Sequence, residues 1–150
     1  MRLSSPAFED GGEIPREYGY TNRNVSPPLE VDEVPDEAES LVLIVDDPDA
    51  VEPAGKVWDH WVVWNLDPST REISEDADVG SLGGVEAKND YGDRGYGGPN
   101  PPDREHSYRI RIYAVDTTLD IPETSTKEDV LDAVDGHVVS EAGISGRFSP

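Results

Sequence analysis

The sequence predicts an all-β domain with a few short helices, on three observations. Its apolar residues gather into runs of strand length, one run alternates strictly, and glycine and proline recur too often between runs for long helices. A chain of 150 residues has room for one core, so a single domain over 1–150 is expected.

The elements follow in order. Ser40 to Val45, "SLVLIV", is a short apolar run between polar flanks and reads as a buried strand. Trp61 to Leu66, "WVVWNL", is a second strand, closed by the turn sequence "DPST" and opened by His60. Tyr108 to Val115, "YRIRIYAV", is the clearest strand. Tyr108, Ile110 and Ile112 share the face expected to meet the core, and Arg109, Arg111 and Tyr113 share the other. Near the end, Ser125-Thr126-Lys127-Glu128 matches a capping box with Ser125 as N-cap. Val130, Leu131 and Val134 then form a short apolar stripe, and Gly136 suits the stop. A second short helix is expected over His137 to Ala142. There is no internal repeat.

Charge narrows the function. The net charge is -21, from 33 acidic and 12 basic residues, and the acids are spread along the whole chain. Such a surface suits very high salt, where screening suppresses self-repulsion, so a halophilic protein is expected. The absence of a basic face argues against nucleic acid, whose phosphates need neutralising, and against an anionic membrane surface. There are no cysteines, which excludes disulfides, zinc-thiolate sites and thiol chemistry. The opening "MRLSSPAFEDGG" has no apolar stretch like a signal peptide, and no segment is long enough to span a bilayer. A cytoplasmic location without membrane insertion is the expectation.

Two polar clusters sit at strand ends. Asp46, Asp47 and Asp49 follow "LVLIV", with Trp58 and His60 ahead of "WVVWNL". A stiff loop, "GYGGPNPP", precedes His106 and Tyr108. Alternation places His106 and Tyr108 on the core-facing side, at the mouth of a pocket floored by apolar side chains. Taken singly, an Asp in "DPD" is a turn former and a histidine at a strand end satisfies a carbonyl. Two histidines with Asp47 and Tyr108 beside a Gly/Pro loop point instead to a site. His137, after the helix stop, reads as structural.

The ordered motifs "SPAFEDGGEIPREY", "NVSPPLE", "DDPDA", "HWVVWN", "NDYG", "GYGGPNPP" and "HSY" resemble the phosphatidylethanolamine-binding protein (PEBP) family, in its bacterial and archaeal Raf-kinase-inhibitor-like branch. The resemblance covers essentially the whole chain. It implies a Greek-key β-sandwich and a small pocket for phosphate-bearing or other anionic groups, with no catalysis. It carries ligand-binding roles onto Asp47, Trp58, His60, His106 and Tyr108, and onto the backbone of Gly98 and Asn100. It also implies a kinase or protease as a partner class, and it leaves a homodimer open.

The chain departs from the family pattern in places. Val51 stands where proline is usual, Asn100 replaces a residue often cysteine or glycine, and Ser107 replaces arginine. The sequence ends at Pro150 without the C-terminal helix that partly covers the pocket in mammalian members, so an open pocket is expected.

Imidazolium N–H, tyrosine O–H and backbone N–H are donors that match oxyanion oxygens, and Asp47 is expected to orient a histidine and favour its charged form. The alternative is a metal-assisted phosphoesterase in which Asp46, Asp47, Asp49 and His60 hold Mg²⁺ or Mn²⁺. The proline within "DDPD" makes convergence of those ligands difficult. No cofactor is called for: there is no P-loop, no G-x-G-x-x-G and no G-x-S-x-G elbow.

Overall fold

The computed structural model describes all 150 residues. The three strands expected from the apolar runs form, with longer ends for two of them and His106 opening the third, and five further strands join them. The elements are β1 (Arg2–Ser4), β2 (Leu29–Asp32), β3 (Ser40–Asp47), α1 (Val51–Ala54), β4 (Trp58–Leu66), β5 (Glu72–Ile73), β6 (Val85–Glu86), β7 (His106–Val115), α2 (Lys127–Val134) and β8 (Val138–Phe148). They form a three-stranded sheet, β1-β2-β5, and a five-stranded sheet, β6-β4-β3-β7-β8. Every named pair is antiparallel. In the larger sheet β3, β4 and β6 lie side by side and β7 returns next to β3, which is the Greek-key order.

The run "SLVLIV" does not alternate because β3 is covered on both faces. Leu41, Leu43 and Val45 point inward and pack with Trp61, Val63, Ile110 and Ile112 against Leu3, Val31 and Ile73 of the small sheet. Val42 and Ile44 point outward, with Val62, Trp64 and Tyr113, under Val130 and Val134 of α2. Tyr108, Ile110 and Ile112 share the inner cluster, as the alternation of β7 predicts.

Two local expectations are corrected. The capping box is shifted by one residue: Thr126 is the N-cap, accepting from the Asp129 N–H, and Asp129 accepts from the Thr126 N–H at 2.9 Å. Ser125 instead closes the preceding turn, its N–H donating to the Pro122 carbonyl. The helix expected over His137 to Ala142 does not form. Gly136, at φ 80°, turns the chain, and residues from Val138 pair with β7 all the way to Phe148 opposite His106. β-branched Val138 and Val139 favour the strand.

No helix is long and apolar enough to cross a membrane. With a net charge of -21, self-repulsion opposes the compact state and salt relieves it. Raising KCl from about 0.1 M to about 1 M, which cuts the Debye length from about 10 Å to about 3 Å, is therefore expected to raise the melting temperature. A flat or falling melting temperature in a scanning-calorimetry series would contradict this.

Candidate functional site

β3 ends in two consecutive aspartates, and strand alternation sends them to opposite faces. Asp46 points outward into an ion-pair network. It accepts two hydrogen bonds from Arg109, at 2.8 and 2.9 Å, and one from Lys127 at 3.2 Å. Burial raises its pKa, but the Arg109 hydrogen bond and the Lys127 charge outweigh that and hold it below the usual carboxylate value. Lys127 also reaches Asp59 at 2.6 Å, which ties α2 to the sheet.

Asp47 points inward. One carboxylate oxygen accepts the Asp49 N–H at 2.9 Å and caps the short 3-10 turn Pro48–Ala50. The other lies 2.6 Å from His106 Nδ1. His106 Nε2 in turn lies 2.6 Å from Asp103, so the ring is held between two carboxylates. Burial alone would depress this histidine. The hydrogen bonds to Asp47 and Asp103, with their charges, outweigh it and raise the pKa. Asp103 responds in kind: a burial penalty is overcome by the His106 bond, and its pKa falls.

His60 reaches the same face by a different route. The register runs Val45↔Trp61, then Asp46↔Asp59, so β4 carries one extra residue at His60. A bulge of this kind re-aims a side chain. Trp61 enters the inner core while its neighbour His60 also turns inward, its ring 5.2 Å from that of Tyr108. His60 Nδ1 lies 2.7 Å from the Gly97 carbonyl. A carbonyl only accepts, so Nδ1 carries the proton. Burial, the largest influence, keeps the His60 pKa below the ordinary histidine value despite the Gly97 bond and nearby aspartates.

These side chains open onto a cleft of about 150 Å³. At about 30 Å³ per water that is room for roughly five waters, or one small ion with its first neighbours. Asp47, Trp58, His60, Asn100, His106 and Tyr108 all line it, and α1 with Pro101 and Pro102 forms the rim. Arg104 bridges the rim, 3.8 Å from Asp49 and 3.6 Å from Glu52.

A family model described as phosphatidylethanolamine-binding protein matches residues 4–149. The chain belongs to that family. A UPF0098 protein of Methanothermobacter thermautotrophicus is 48% identical, over 99% of this chain and 98% of its own length. One from Chlamydia trachomatis is 42% identical over the same shares. Among solved structures, a PEBP homolog from Chlamydia trachomatis superposes with a TM-score of 0.91 at 41% identity, covering 99% of this chain and 97% of that one. YbcL of E. coli, described as a new member of the mammalian PEBP family, gives 0.89 at 26% identity, covering 99% and 98%.

Within this PEBP fold, the backbone of Gly98 already has partners inside the protein. Its N–H donates to Asn24 Oδ1 at 2.7 Å, and its carbonyl accepts from the Tyr91 hydroxyl at 2.8 Å, so its backbone is committed within the protein. A Cβ on Gly98 would overlap the Tyr18 carbonyl, and one on Gly97 would strike Tyr91. The glycines permit close packing of the loop on its neighbours. Ser107 is exposed, away from the cleft, and its N–H donates to Asp49 Oδ2.

The four residues considered as cation ligands do not converge. Asp46 is engaged on the outer face and Asp49 bonds the Ser107 backbone, leaving Asp47 and His60 at the cleft. No cluster of three or more histidine or acidic side chains is placed to hold a metal ion.

Sequence reasoning missed Tyr91 and Asp103. Tyr91 lines the cleft and stacks on Tyr20 at 3.8 Å, and only the motif "NDYG" hinted at it. Asp103 carried no signal beyond its place three residues before His106.

The two histidines are expected to titrate on opposite sides of the ordinary value, His106 above and His60 below. His106 then adds stability that is full below the unfolded-state pKa and is lost as pH rises through the folded value. For His60 the sign reverses: the unfolded state takes up its proton first, so stability falls as pH drops below the unfolded value. In an NMR titration, Asp47→Asn is expected to bring the His106 pKa down and leave His60 below the ordinary value. An unmoved His106 would contradict the pairing.

Proposed function

We propose that this cleft is a non-catalytic binding site for a small oxyanion, either a phosphate-bearing group or one of like charge and shape. The supporting observation is His106. It is 1% exposed and its charged form is favoured, yet its Nε2 already holds an anionic oxygen, that of Asp103. The Asp103 side chain is 36% exposed, so it can leave when another oxyanion takes its place. Tyr108 supports the reading. Burial first, then the Asp47 charge and Tyr91, hold its phenol far above the ordinary range, so its hydroxyl stays protonated and donates. Asn100 adds an amide at the mouth.

Asp47 is a carboxylate whose two oxygens already meet the Asp49 N–H and His106, so it repels an anion and serves to hold His106 in place. The acidic surface repels anions at long range. In high salt that repulsion is screened within a few ångströms, and contact geometry decides affinity. Affinity for the isolated ion is accordingly modest.

Two substitutions move the affinity in opposite directions. In calorimetric titrations with phosphate or phosphoethanolamine, Tyr108→Phe is expected to weaken binding by about tenfold, the loss of one buried donor. Asp103→Ala, which removes the internal competitor at a half-exposed position, is expected to strengthen it by about threefold. Absence of binding to the unaltered protein sinks the reading, as does indifference to both substitutions.

A further inference from the structure

His60 constrains what the cleft accepts, given that the cleft holds an oxyanion as proposed above. Its side chain is buried at 2% exposure and lines the cleft. Its Nδ1 proton is committed to the Gly97 carbonyl at 2.7 Å, and its Nε2 has no partner within the protein. What it offers a ligand is therefore a lone pair. A lone pair facing a fully deprotonated anionic oxygen is repulsive, whereas one facing a hydroxyl accepts a hydrogen bond.

We propose that the cleft selects an oxyanion that carries its own proton, which donates to His60 Nε2 while the charged oxygens face Tyr108 and His106. The chemical class is hydrogen phosphate, or a phosphate monoester in its singly protonated form. Phosphodiesters and sulfate have no such proton. The low affinity of the buried His60 ring for a proton reinforces the assignment, because the ring does not readily become a second donor.

The arrangement is also self-consistent within the fold. The β-bulge that turns His60 inward places its Nδ1 against the one carbonyl, Gly97, that fixes the tautomer. Gly97 itself is confined by Tyr91 and Asn89, against which a Cβ would clash. The carbonyl is thus held where it is, and the lone pair stays aimed at the ligand.

Phosphate and sulfate separate the idea from the broader one, since they share size and tetrahedral shape and near pH 7 differ chiefly in the proton. Titrations of the unaltered protein at matched ionic strength in KCl are expected to give phosphate at least about a tenfold advantage over sulfate, the cost of leaving a buried acceptor unmet. In the phosphate complex, ¹⁵N shifts of His60 are expected to keep the proton on Nδ1 alone. Equal binding of the two anions overturns the proton requirement and leaves the oxyanion site standing. So does a His60 ring protonated at both nitrogens in the complex. Binding of neither anion removes the oxyanion site, and this inference with it.

Discussion

The buried carboxylate of Asp47 is the interaction on which the cleft depends. One oxygen stops β3 and caps the turn that leads into α1, and the other holds His106 at the start of β7. A single side chain therefore fixes both the lip of the cleft and its floor. A buried carboxylate is costly unless its oxygens are met, and here both are. The histidine gains from the same contact, since its charge is favoured by a partner that cannot move away.

The neighbouring Asp46 shows why the pair is placed so securely. It faces outward into Arg109 and Lys127, and Lys127 opens α2 and also holds Asp59. The helix is thereby tied over the outer face of β3 and β4 while Asp47 works on the inner face. Two adjacent aspartates serve two layers, one anchoring a helix and the other ordering a site. Removing the outer network leaves Asp46 buried with unmet charge, so the end of β3 is held from both sides.

Much of this was legible in the sequence. The alternation of β7 put His106 and Tyr108 on the core side, and the apolar runs located β3 and β4. The ordered motifs pointed to the PEBP family and hence to Greek-key topology. The bulge at His60 was not legible, because one extra residue in a strand leaves no mark in a run of apolar side chains. For the same reason His60 was taken to open the strand when β4 in fact begins at Trp58. The sequence points to a helix over His137 to Ala142 because Glu141 and Ala142 carry no strand signal, and only pairing with β7 settles the form of this first part of β8. At Gly98, close packing and close approach to a ligand both call for glycine. The sequence does not distinguish them. Asp103 was invisible as a partner because loop geometry, not spacing, brings it to His106.

A crystal grown with phosphate tests the central claim most directly, because it locates the anion without reference to affinity. The anion is expected in the cleft at the ends of β3, β4 and β7, within hydrogen-bond distance of the Tyr108 hydroxyl and His60 Nε2, with Asp47 still on His106 and Asp103 displaced. An anion seated instead in the separate groove lined by Lys56, Lys88 and Arg94, with the cleft empty and Asp103 still on His106, would contradict it.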